Sequence, residues 1–191
     1  QLRKGYSKMF SRLFDPMAIL YSLPAIFLAL SFHEFAHALV ADRLGDPTPR
    51  NQGRLTLDPF THIDPVGLIF FILAGFGWAK PVQVNPSRFK NPRLGDILVS
   101  SAGPFANLLL AFIALGLFNY IEGVLGYSNE IFSEIMWPVV NLNLILFIFN
   151  FLPIPPLDGY HVVKSFFYRR NIKLFWKLEQ YGFLILILIS F

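Results

Sequence analysis

Residues 17–41 form a run of 25 mostly apolar residues, long enough to cross a bilayer, yet the run contains His33, Glu34 and His37. Few folds tolerate that combination. An ionisable side chain in hydrocarbon costs on the order of several kcal/mol unless it pairs, binds an ion or faces water. The spacing narrows the choice. His33-Glu34-Phe35-Ala36-His37 fits H-E-x-x-H, in which two residues four apart on a helix differ by only about 40° in azimuth, so both imidazoles can reach one metal ion. Glu34 lies about 100° from His33 at nearly the same height. A carboxylate there sits beside the metal as a base for bound water, not as a ligand.

The remaining composition supports lipid as the solvent. Hydrophobic residues make up 54% of the 191-residue chain and charged residues 15%, with a mean hydropathy of +0.52. Cysteine is absent, so a metal must be held by nitrogen and oxygen. The net charge of +4 falls in short clusters between apolar runs, where Lys and Arg act as topology signals, so nucleic acid is excluded as a partner.

The pattern predicts an all-α polytopic membrane protein with about four transmembrane helices, plus a re-entrant or interfacial segment with short β-strands. One membrane-embedded domain covers 1–191. Residues 1–16 form an interfacial helix or a loose arm, with Met9, Phe10, Leu13 and Phe14 at helical spacing. Residues 17–44 form the helix with the two histidines, stopped at Gly45. Residues 46–95 hold a β-hairpin and re-entrant region: 54–57 and 82–84 alternate like strands, and the apolar run 66–79 has 14 residues, too few for a full crossing. A middle span follows at 96–121, then a further span and its turn at 136–159, and an amphipathic segment with a last helix at 160–191.

Catalytic zinc usually takes three protein ligands, so two histidines are one short. Asp158 is the strongest candidate for the third. The apolar run 137–152 would be about 24 Å long as a helix, short of a core of about 30 Å, and the prolines at 153, 155 and 156 end it early. His161 is also within reach in sequence, and His62 lies in a polar turn; both are more commonly loop residues.

With these motifs together the chain resembles the site-2 protease family of intramembrane zinc metalloproteases, peptidase family M50. The likeness rests on the H-E-x-x-H helix, on Asn150-Phe151-Leu152-Pro153-Ile154-Pro155-Pro156-Leu157-Asp158-Gly159, and on Ser101-Ala102-Gly103-Pro104-Phe105-Ala106-Asn107 in the middle span. The resemblance implies one zinc ion on His33, His37 and Asp158, with Glu34 activating water. It also implies that Asn107 and Asn150 position substrate or stabilise an oxyanion; as isolated amides they suit helix-helix hydrogen bonds equally well. The chain looks like a short, core-only member.

The function expected is hydrolysis of peptide bonds in or near the transmembrane segments of membrane-protein substrates, as regulated intramembrane proteolysis in a prokaryotic plasma membrane. A membrane zinc transporter or a non-catalytic zinc-binding scaffold is the alternative. Basic stretches at 80–93 and 164–177 place those residues in the cytoplasm, and the acidic stretch 122–134 faces the other side. His37 and Asp158 can share an ion if 66–79 turns back without crossing, which opens the site toward the cytoplasm and leaves the N-terminal arm outside.

Overall fold

A computed structural model describes residues 16–74, 77–167 and 171–190; the N-terminal arm, expected as an interfacial helix, lies outside them. Helix α1 (Pro16–Arg43) carries the H-E-x-x-H residues. It closes in a Schellman turn: Asp46 N–H donates to Ala41 O at 3.0 Å and Gly45 N–H to Asp42 O at 3.1 Å, with Gly45 at φ 104°, a conformation that favours glycine. Short helices α2 (Thr48–Asn51) and α3 (Pro59–His62) follow, then α4 (Pro65–Ala74), whose first N–H groups at Val66 and Gly67 donate to Asp64 Oδ1, both at 2.9 Å.

Helix α5 (Pro92–Asn119) runs on through a π-helical turn (Tyr120–Val124), so the apolar helix has 33 residues. Helix α6 (Glu130–Asn150) is capped by Asn129, whose side chain accepts from Ile131 N–H. Helices α7 (Asp158–Phe167) and α8 (Ile172–Ser190) complete the chain. They are joined by Tyr160, whose hydroxyl donates to Glu179 at 2.9 Å, and by Lys164 on the same carboxylate at 2.5 Å.

Helices α1, α5 and α6 pack on one another through small and branched residues: Ala25, Ala114, Val139 and Val140 form one cluster. The polarity is inverted relative to a protein in water. His33, Glu34, His37, Asn107 and Asn143 are buried, while Leu109 and Ile148 are 61% and 65% exposed. Close helix approach through small residues, polar groups inside and large apolar groups outside is the arrangement that lipid favours. By helical rise these three helices are about 42, 50 and 32 Å long, against a hydrocarbon core of about 30 Å.

Three helices, not four, are long and apolar enough to cross a membrane among the described residues. Helix α8 has 19 residues, but Lys173, Lys177 and Glu179 occupy its first half. The expected strands are also absent among the described residues, where pairing is limited to an isolated bridge between Ile63 and Ala79. The reason lies in where the polar groups go. Arg54 does not alternate outward; it is buried and donates to the carbonyls of Thr61 and Lys80, at 2.5 and 3.3 Å. In segment 80–86, Pro81 and Pro86 have no N–H, while the N–H groups of Val82 and Asn85 donate to the carboxylates of Glu34 and Asp46, at 3.0 and 2.6 Å. Those donors are unavailable to a neighbouring strand.

The Ile63–Ala79 bridge and the bond from Lys80 N–H to His62 O at 2.8 Å bring both ends of the run 66–79 together. Gly67 permits the return, since a Cβ there would lie 2.1 Å from the Trp78 carbonyl oxygen. Asp46, fully buried, ties segment 80–86 to the end of α1. Burial alone would raise its pKa, but the N–H of Asn85, the hydroxyl and N–H of Thr48 and the charge of Arg88 outweigh this and hold it below the ordinary carboxylate range.

Candidate metal centre

His33 and His37 stand one turn apart on α1, with their Nε2 atoms 3.0 Å from each other. Asp158, the first residue of α7, places Oδ2 3.2 Å from His33 Nε2 and 3.4 Å from His37 Nε2. The turn after Asn150 carries it there. Gly159 makes that turn possible, because a Cβ would lie 2.4 Å from the carbonyl carbon and oxygen of Phe151. Gly103 on α5 clears room for the imidazoles: a Cβ there would lie 2.3 Å from His37 Nε2 and 2.6 Å from His33 Cε1.

The hydrogen bonds decide which ring nitrogens are free. His33 Nδ1 lies 2.7 Å from Asn107 Oδ1, and His37 Nδ1 lies 2.7 Å from the Val99 carbonyl oxygen. Both partners are acceptors, so both Nδ1 atoms carry the hydrogen and both Nε2 atoms present lone pairs. Asp158 Oδ2 is buried and has no hydrogen-bond donor. Three lone-pair atoms this close repel one another unless a cation lies among them. Their separations of 3.0–3.4 Å lie close to those of a zinc site: with ligand bonds of about 2.0–2.2 Å, tetrahedral geometry puts ligand atoms about 3.3–3.6 Å apart, so a small outward shift of the two imidazoles admits the ion.

Glu34 is buried beside this group, with Oε2 accepting from Val82 N–H at 3.0 Å. A cavity of about 1220 Å³ opens onto the site, lined by Glu34, Val82, Asn150, Asp158 and His161 among others. Asn150 uses one N–H on the Leu146 carbonyl, at 3.0 Å, which leaves the other for the cavity. Asn107 is different. Its amide N–H groups go to Ala29 O at 3.0 Å and Asn143 Oδ1 at 2.7 Å, and it is fully buried. Both of its N–H groups are thus taken by protein acceptors, while its Oδ1 faces His33 Nδ1. His161 lines the cavity wall but is outside the three-residue group. His62 is fully buried at the C-terminal end of α3, with Nε2 donating to Thr56 O at 2.8 Å.

Sequence reasoning did not find Val82 N–H, Val99 O or Gly103 as parts of the site. Backbone groups leave no mark in the residue pattern. Gly103 did carry a signal, since it lies one helical turn before Asn107 and therefore on the same face.

The chain is 41% identical over 186 residues to YwhC of Bacillus subtilis, an alignment covering 93% of this chain and 83% of that protein. The chain belongs to peptidase family M50. The model of that family, described as Peptidase family M50, matches residues 123–191 of this member, which include Asn150 and Asp158. The M50 chain is also 32% identical over 167 residues to Rip2 of Mycolicibacterium smegmatis, covering 85% of this chain and 63% of that protein. It is 30% identical over 154 residues to MJ0611 of Methanocaldococcus jannaschii, covering 79% and 73%. All three relatives are provisionally named as zinc metalloproteases. No solved structure matches this M50 chain.

Proposed function

We propose that the chain is an intramembrane zinc metalloprotease that hydrolyses peptide bonds in or near the transmembrane segments of membrane-protein substrates. The observation that carries this reading is the convergence of His33 Nε2, His37 Nε2 and Asp158 Oδ2 to within 3.0–3.4 Å of one another, with both histidines on a helix long and apolar enough to cross a membrane. His33, His37 and Asp158 would hold the zinc ion, which would supply the Lewis acid that polarises water and the scissile carbonyl. Glu34 takes the proton from the attacking water and returns it to the leaving amine. Val82 N–H holds one carboxylate oxygen of Glu34, leaving the other for water. Asn150, with a free N–H at the cavity, donates to the developing oxyanion.

A single membrane-embedded catalytic domain extends over 1–191. It is a multi-pass protein of a prokaryotic plasma membrane, its relatives being bacterial and archaeal. His37 precedes Arg43 by six residues, about 9 Å of helix, so the site lies below the interface and away from the midplane. The cytoplasm is the side it opens to, because segment 80–93 is basic, and 66–79 re-enters without crossing. Cysteines introduced at Arg50 and Lys90 are then labelled from the same side; labelling from opposite sides overturns this topology. A transporter needs ligands along a through-path, whereas His, Asp and Glu residues gather into one possible metal group among the described residues.

Glu34→Gln tests the proposal. Zinc content is expected to persist while cleavage of a membrane-anchored substrate is lost. Absence of cleavage by both forms across a panel of single-span substrates, with zinc bound, favours a transporter or scaffold.

A further inference from the structure

The orientation of one buried amide chain has a chemical consequence at the metal site. Asn143 Nδ2 on α6 donates to Val139 O at 2.8 Å. A backbone carbonyl only accepts, so the nitrogen of this amide must face Val139 and its oxygen must face Asn107. Asn143 Oδ1 also only accepts, so Asn107 turns its NH₂ toward it, at 2.7 Å, and shares the other N–H with Ala29 O at 3.0 Å. Asn107 Oδ1 is thereby directed at His33 Nδ1, 2.7 Å away. His33 must carry its hydrogen on Nδ1 and present a bare Nε2. Both asparagines are fully buried, so water does not compete for these bonds.

We infer that Asn143 is a positioning residue of the metal centre, acting through Asn107 to select the His33 tautomer that can bind metal. The inference rests on the reading of His33, His37 and Asp158 as zinc ligands. The two histidines are held differently. His37 Nδ1 donates to the Val99 backbone carbonyl, an acceptor that no side-chain substitution removes. His33 depends on side chains from two other helices. Without Asn143 Oδ1, the amide of Asn107 loses one of the two acceptors that orient it. Its NH₂ can then turn toward His33, which drives the ring hydrogen to Nε2 and blocks ligation.

The test uses the full chain in detergent micelles, with zinc affinity measured by chelator competition and ring tautomers by ¹⁵N-histidine NMR of the zinc-free protein. Asn143→Leu is expected to lower zinc affinity by about tenfold or more, the effect typical of removing support behind a ligating histidine, and to raise the Nε2–H form of His33 but not of His37. Asn143→Asp, protonated in this buried position, keeps an acceptor toward Asn107 and restores the Nδ1–H form. Asn141→Leu, at an exposed position on the same helix, leaves both readouts unchanged. If Asn143→Leu does not fold, Asn143→Ala gives the same comparison. Zinc affinity within about twofold of the unsubstituted chain, with His33 still Nδ1–H, overturns the inference. His33→Ala separates this from the underlying reading: if zinc binding survives that change, the ligand assignment fails; if it does not, only the role of Asn143 is in question.

Discussion

Glu34 Oε2 accepts a 3.0 Å hydrogen bond from the backbone N–H of Val82, 48 residues away in the chain. The carboxylate beside the two imidazoles is therefore held by a segment that owes its own course to Pro81, Pro86 and the second anchor at Asp46. The side chain of Val82 is irrelevant to this bond and its N–H is not. Val82→Pro is expected to lower kcat/KM by about ten- to a hundredfold, matching the loss of one hydrogen bond to a charged group, about 1.5–3 kcal/mol. Zinc content stays unchanged, and Val82→Ala cleaves nearly as well as the unsubstituted chain. Steady-state cleavage together with metal analysis checks this.

Gly103 on α5 leaves room that the two imidazoles occupy. Gly103→Ala places a methyl group 2.3 Å from His37 Nε2, so the imidazoles must move. Zinc affinity is expected to fall by about tenfold or more. Gly116→Ala, on the same helix with open space around its Cβ, leaves it unchanged. Chelator titration of the two purified variants distinguishes them.

Asn150 and Asn107 share a residue type and differ in surroundings: Asn150 lines the cavity and Asn107 is fully buried. Asn150→Ala removes the donor at the cavity and is expected to lower kcat by about 10²–10³-fold while zinc remains bound. Asn107→Leu removes the acceptor of His33 Nδ1 and is expected to weaken zinc by about 10–100-fold. Equal zinc loss in both variants would show that the two amides act alike.

Asp46 gives the fold an acid-sensitive joint. Its folded pKa lies below the ordinary carboxylate value, so in this range the unfolded chain binds more protons than the native one, and stability rises with pH. Its contribution is fully present above the unfolded pKa and is lost as pH falls through the folded one. Asp46→Asn is expected to flatten the stability profile below about pH 4 and to cost about 1–3 kcal/mol at neutral pH, since two N–H donors and a hydroxyl lose a charged acceptor. Thermal unfolding in detergent across pH 3–7 checks both.

The legible and illegible parts of the site divide by the range of the interactions involved. His33, Glu34 and His37 were readable because one helical turn sets their mutual placement. Asp158 was readable because prolines end the preceding helix early. Residues 54–57 and 82–84 alternate in sequence without pairing as strands, because alternation reports residue type, whereas Arg54 turns inward to the carbonyls of Thr61 and Lys80 and the N–H groups of Val82 and Asn85 go to the carboxylates of Glu34 and Asp46. The expectation of about four spans exceeds the three found among the described residues, since the apolar end of the last helix follows Lys173, Lys177 and Glu179 in that helix.

The sequence by itself determined that two imidazoles and a carboxylate share one stretch of an apolar helix, because helical periodicity is local and lipid makes unpaired ionisable groups costly. Tertiary structure alone decided which atoms face one another. The bonds from His33 to Asn107 and from His37 to Val99 join residues 74 and 62 positions apart, and their direction sets the free nitrogens. Such bonds arise from helix packing, and the chemistry of an amide or a backbone carbonyl does not record in advance which helix it will meet.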